Sequence, residues 1–143
     1  MSLEHLFSMA STAALLGWVM LAVAPLQREW SVNGARMVVA VLCGGYAAML
    51  ITGLTSGNGL PEGAGFNSLA AVHLLLSTPE AMLAGWVHYL AFDLFIGAWQ
   101  TADAPGARIP HWLLLPCLAI TLFAGPVGLL LYLVLKASRR RQA

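Results

Sequence analysis

Charge is what this chain has least of. Asp, Glu, Lys and Arg make up 9% of its residues, against about 25% in a typical soluble domain. So few charges cannot cover a water-facing surface, so lipid must be the solvent for much of the molecule. The net charge of +1 excludes the broad positive field that nucleic acid requires. Cysteine is scarce too. Cys43 and Cys117 both lie in apolar segments with no second ligand nearby, so they read as buried thiols and not as a disulfide or zinc pair. A Walker loop, a dinucleotide glycine pattern, a serine-nucleophile motif and zinc spacing are all missing. Neither a metal nor a cofactor is expected. There is no internal repeat and no soluble linker, and the length allows one domain over residues 1–143.

Long apolar runs are what the chain does have, at 59% hydrophobic residues. Leu6 to Leu26 is free of charge and long enough to cross a hydrocarbon core of about 30 Å. Glu4 and His5 stand where a signal peptide would be basic, and Pro25 would follow the cut, so this first segment reads as a retained helix. Gln27-Arg28-Glu29-Trp30 ends it with a turn. Asn33 and Gly34 open a second span over 35–54, in which Gly44, Gly45, Ala47 and Ala48 permit close helix approach. A polar, glycine-rich loop follows over 55–65. Residues 66–76 are apolar but too few to cross, and predict an interfacial or re-entrant helix capped by Asn67 or Ser68.

Thr78-Pro79-Glu80 is a helix start: a cap, a proline suited to the first helical position, and an acid at the positive end of the dipole. It opens a third span over 79–101. A turn from Asp103 to Arg108 leads to a fourth span over 111–135, which Gly125-Pro126-Val127-Gly128 should kink or unwind. The expected fold is therefore all-α, an integral membrane four-helix bundle with one short extra helix.

Orientation follows the basic residues. Lys136, Arg139, Arg140 and Arg141 argue for a cytoplasmic tail, and an even number of spans would put the N-terminus there too. Arg28, Arg36 and Arg108 would then lie on the far side, a bias of four against three. The tail also suits anionic lipid.

Ionisable groups well inside the lipid depth occur only in the third span. His88 lies nine residues after Pro79, about 14 Å along the axis and near the midplane. Asp93 is about two-thirds of the way across. A carboxyl there must face protein, since a lipid-facing Asp costs about 2.5–3.5 kcal/mol even on the lenient scale. The break at Pro126 is a matching partner, because proline frees a carbonyl near Leu122 to which a protonated Asp93 could donate. At about 100° per residue, His88, Phe92, Phe95 and Trp99 share one face, and Trp86, Asp93 and Gln100 share another. His88 and Asp93 are thus about 140° apart and cannot pair locally. Each residue also has a bland reading. Glu80 can be a helix-start acid, His88 a helix–helix hydrogen bond, Asp93 a staple to Arg36 or to a carbonyl, and the aromatic face ordinary packing. His73 and His111 read as structural. The spacing of His73 and His88 matches no haem-ligand pattern.

Gly85-Trp86-Val87-His88-Tyr89-Leu90-Ala91-Phe92-Asp93-Leu94-Phe95, with Glu80 upstream, resembles the signature of the abscisic-acid-deficient-four family. The stretch Phe123 to Leu129 resembles that family's second motif, and Phe7 to Ser11 is a weaker match. The resemblance covers nearly the whole chain, with its specific part between Glu80 and Trp99. Matching positions are Glu80, Trp86, His88, Asp93, Leu94, Phe95, Pro126 and Gly128. Plant members are plastid membrane proteins required to make neoxanthin from violaxanthin. This chain has no plastid transit peptide, which points to a bacterial homologue in the inner membrane. The resemblance implies a redox-neutral isomerisation that needs an acid for an epoxide oxygen and a base for a carbon-bound proton. It suggests His88, Asp93 and Glu80 as catalytic groups. Trp86, Phe92, Phe95, Trp99, Gly125, Pro126 and Gly128 would line the site for a carotenoid or other isoprenoid lipid.

Three functions compete: such an isomerase, a non-catalytic pigment- or lipid-binding protein, and a small structural subunit. An aromatic groove faced by both His88 and Asp93 would favour the first. The same groove without Asp93 would favour the second. No groove, with Asp93 bonded to a neighbouring helix, would favour the third.

Overall fold

The computed structural model describes residues 2–55 and 61–140. Residues 56–60 of the expected loop and Arg141 of the basic tail lie outside them. The described residues form six helices and no strand: α1 (Leu3–Ala22), α2 (Arg28–Thr55), α3 (Leu69–Leu75), α4 (Pro79–Asp103), α5 (His111–Phe123) and α6 (Gly125–Arg140). Three of them, α1, α2 and α4, are long and apolar enough to cross a membrane.

Local sequence explains where the helices start. Ser2 Oγ accepts the His5 N–H at 3.3 Å, Ser68 Oγ accepts the Ala71 N–H at 3.1 Å, and Thr78 Oγ1 accepts the Ala81 N–H at 3.2 Å. Each cap satisfies one of the backbone donors that a first turn leaves unpaired. Pro79 occupies the first turn of α4, as expected from Thr78-Pro79-Glu80.

α4 is the central helix. Of its apolar window 44% is buried, against 11% for α2. α1 runs alongside it in the same direction, with Phe7 near Trp86 and Trp18 near Gly97. α2 runs the opposite way, with the Arg28 guanidinium donating to the Thr101 carbonyl at 2.9 Å and Tyr46 beside His88. Gly97 permits this packing, because a Cβ there would collide with the Trp18 indole.

Several boundaries differ from the sequence reading. α1 ends at Ala22, and the turn is Val23 to Gln27. α2 begins at Arg28, so Asn33 and Gly34 are helical. Gly34 faces the Met20 side chain where a Cβ would crowd the sulfur, which makes it a packing glycine and not a helix opener. α3 is seven residues, about 10 Å long, and covers only the middle of the expected 66–76.

The largest correction concerns the fourth span. The segment 111–135 is two helices broken at Ala124, whose φ of −151° and ψ of 72° are not helical. α5 has 13 residues, about 20 Å, too short for a core of about 30 Å. The Ala124 carbonyl then accepts the Val127 and Gly128 N–H groups at 2.9 and 3.0 Å, which starts α6. Pro126 falls in the first turn of α6, where a missing N–H costs nothing. The chain turns back at this point. Gly128 lies against the backbone of Thr121. Further along α6, the Tyr132 hydroxyl donates to Asp103 Oδ2 at 2.6 Å, and Lys136 pairs with the same oxygen at 2.5 Å. Asp103 also ends α4, just before α5 begins. α5 and α6 therefore form a helical hairpin that leaves and returns to one end of the bundle. The Leu3 end of α1 lies at the other end, beside Pro79. The even number of crossings behind the expected placement of the termini counted 111–135 as one helix, and the structure divides it at Ala124.

Candidate functional site

The tip of the hairpin meets α4 at Asp93. The side chain is buried, at 9% exposure, and its carboxyl packs so closely on Gly125 that a Cβ there would overlap it. The Gly125 N–H donates to the carboxyl. Asp93 thus caps the first turn of α6 from a neighbouring helix, with the sign that a helix N-terminus favours. Its Oδ2 is buried without a close hydrogen bond of its own, and the Tyr89 hydroxyl lies against the same carboxyl. The expected bond from Asp93 to the carbonyl near Leu122 is not the one formed. Tyr89, one turn earlier on α4, donates its hydroxyl to the Leu122 carbonyl at 3.1 Å. Both hairpin ends at the break are therefore met by α4: α5's last turn by a donor, α6's first turn by an acceptor.

His88 is not part of this constellation. Its ring lies on the exposed side of α4, stacked on Phe92 with centroids 4.5 Å apart and tilted against Tyr46 at 5.5 Å. Phe92 and Phe95 are 56% and 50% exposed. Trp99, further along this face, packs edge-on against Tyr132 at 5.4 Å and under the Lys136 ammonium at 5.5 Å. The face shared by His88, Phe92, Phe95 and Trp99 is thus an outer surface that ends in a packing contact. It does not enclose a groove with Asp93. Glu80 is exposed at the start of α4, and Pro126 is exposed at the hairpin tip. Gly128 serves the α5–α6 contact. His73 is exposed on α3, and His111 Nε2 donates to the Ala22 carbonyl at 2.9 Å, tying α5 to α1.

A groove does open on the other face of α4. It lies between the Leu3 end of α1 and the Pro79 end of α4, with a volume of about 550 Å³. Leu3, Glu4, Phe7, Leu76, Pro79, Met82, Leu83, Gly85, Trp86 and Tyr89 line it. Trp86 organises the wall. Its ring stacks on Tyr89 at 5.3 Å and faces Phe7 at 5.6 Å, while Nε1 donates to Ser11 Oγ at 3.0 Å. The groove exists because the hairpin stops short: its tip reaches Tyr89 and leaves the rest of this face of α4 uncovered. Its lining is apolar apart from Glu4 at the mouth and Tyr89 at the inner end. The volume lies within the range of small-molecule pockets, about 300–1,000 Å³.

Of the residues singled out from sequence, the structure brings Asp93 and Gly125 together and puts Trp86 in the groove wall. It separates His88, Phe92, Phe95 and Trp99 from them. Tyr89 and Phe7 were missed. Tyr89 was within reach of the helical geometry, since it lies three residues after Trp86 and four before Asp93, on the same stripe. Phe7 carried only the weaker family-like match of Phe7 to Ser11, which did not place it beside Trp86. Among the described residues, no group of three His, Cys, Asp or Glu side chains is placed to hold a metal ion.

An apolar helical protein with three potential membrane crossings, a broken fourth element and a carboxyl seated in the break is an all-α membrane protein of a distinct kind. The chain belongs to the ABA DEFICIENT 4-like family, whose model matches residues 5–132. That match agrees with the resemblance carried by the Glu80–Trp99 block. No curated protein matches, and no solved structure does.

Proposed function

We propose that this protein binds an isoprenoid lipid of the carotenoid type, taken laterally from the bilayer into the groove between α1 and α4. The observation that carries this reading is the groove itself, walled by Phe7, Met82, Leu83 and Trp86 with Tyr89 at its inner end. Apolar walls with a polar inner end suit a chain that carries one polar group. From Pro79 to Tyr89 the groove follows about 15 Å of helix, half of a hydrocarbon core of about 30 Å. Membership of the ABA DEFICIENT 4-like family supports the substrate class. The site residues of this reading are Trp86, Tyr89 and Asp93.

A second reading is acid–base isomerisation of the bound lipid. It is favoured by one observation, the Asp93 carboxyl one turn beyond Tyr89, the residue at the inner end of the groove. In that reading Asp93 is the acid and Tyr89 its neighbour in the site. His88 is not the base, because its ring lies on the opposite surface of α4. Purification in mild detergent, followed by extraction and mass spectrometry, tests the binding reading. Isoprenoid lipid should be enriched over bulk phospholipid in the wild-type protein and lost in Met82→Trp, which fills the groove. Equal lipid profiles in the two proteins would overturn it. Asp93→Asn separates the second reading: retained lipid without conversion supports catalysis, and unchanged conversion removes it.

A further inference from the structure

We infer that the groove opens into the non-cytoplasmic half of the membrane, so that its lipid is drawn from the outer leaflet. The inference rests on the binding reading for the identity of the lipid and on charge alone for the side. Among the described residues, Lys and Arg are gathered toward one end of the molecule. The sequence has no Lys or Arg before Arg28 and none between Arg36 and Arg108. If 111–135 were one crossing, Lys136 and Arg139 would stand opposite Arg28 and Arg108, and the two ends would be nearly balanced. The hairpin changes this, because it brings Lys136 back to Asp103, at the end of α4 where Arg28 reaches the Thr101 carbonyl. Arg108 lies in the connection between α4 and α5 at that same end. Arg139 and Arg140 follow Lys136 on α6. The opposite end, formed by the start of α1, the end of α2, α3 and the start of α4, carries Glu4, Glu62 and Glu80 and no Lys or Arg.

Short connections rich in Lys and Arg are retained on the cytoplasmic side. The end bearing Asp103 is therefore cytoplasmic, and the Leu3 end faces outward. The groove belongs wholly to that outward end, since it runs from Glu4 and Pro79 at its mouth to Tyr89. The hairpin closes the cytoplasmic half of the same face and stops at Tyr89. A lipid tail can then enter from the outer leaflet only, with its inner end near the midplane.

Cysteine labelling in intact cells tests this on the full chain. The wild-type protein is the blank, because Cys43 and Cys117 lie within α2 and α5. An impermeant maleimide should label Ser2→Cys from outside and Ser138→Cys only after permeabilisation. Labelling of Ser138→Cys from outside, or of both positions from one side, would overturn the sidedness. A second arm uses Met82→Cys in a Cys43→Ala background and a membrane-soluble maleimide, with geranylgeraniol as the probe lipid. Loss of Met82→Cys labelling in its presence is the expected result. Undiminished labelling, with sidedness as inferred, would overturn the isoprenoid reading while leaving the direction of the groove intact.

Discussion

Replacing Gly125 with alanine tests the contact on which the site is built. The added methyl would overlap the Asp93 carboxyl. That group has little room to retreat, since the side chain is buried and accepts the Gly125 N–H. Overpacking of this kind costs about 1–3 kcal/mol. That is roughly a five- to 150-fold loss in the ratio of folded to unfolded protein. Gly44→Ala is the matched control. Nothing lies within 4 Å of a Cβ at Gly44, and alanine in a helix interior gains about 0.5–1 kcal/mol over glycine. The two substitutions, chemically identical, should therefore shift stability in opposite directions. Equilibrium unfolding in mixed micelles of a mild detergent and dodecyl sulfate, followed by circular dichroism, measures both. Asp93→Ala removes the obstacle, so Gly125→Ala in that background should cost much less. A neutral Gly125→Ala, or a cost unchanged by Asp93→Ala, would refute the packing described at the hairpin tip.

Two further outcomes are expected. Cys43 is exposed on α2 and Cys117 is buried, so a membrane-permeant alkylating agent should modify Cys43 in the folded protein and Cys117 only on unfolding; equal rates would contradict the α4–α5 packing. Thr121→Val should destabilise by about 1–3 kcal/mol, because it removes the partner of the fully buried Gln100 amide, whose Nε2 donates to Thr121 Oγ1 at 3.2 Å. A neutral substitution in the same unfolding assay would show that Gln100 finds another partner.

What could be read from the sequence was whatever local chemistry decides. The caps at Ser68 and Thr78, the shortness of α3 and the uninterrupted run of α4 follow from residues within one or two turns. The depth of Asp93 fixed that it must face protein, and Pro126 fixed roughly where the partner would be. The hairpin was not legible, because a glycine–proline break says that a helix is interrupted and not by how much. A kink of a few tens of degrees and a full reversal need the same residues. The choice between them lies in tertiary contacts: Gly128 on the Thr121 backbone and Tyr132 with Lys136 on Asp103. The groove was misplaced for a related reason. Helical geometry separated α4's faces correctly, but the richer aromatic face, with His88, Phe92 and Phe95, turned outward. The face that does line a groove has Trp86 and Tyr89, and its wall is completed by Phe7 from a helix nearly eighty residues away.

Asp93 and the break at Ala124 account for one another. A helix that starts inside an apolar environment leaves its first N–H groups without water, and each unsatisfied donor costs several kcal/mol there. An isolated carboxylate at that depth is at least as costly. Put together, the Gly125 N–H and the Asp93 carboxyl offset both costs, and the glycine at 125 is what lets them meet. Tyr89 does the same for the Leu122 carbonyl on the other side of the break. Had capping been the whole role, a serine or asparagine on α4 would have served, with no charge to bury. A carboxylate brings two oxygens. The second oxygen is buried beside Tyr89, whose hydroxyl lies against the same carboxyl, so one acid reaches both sides of the break.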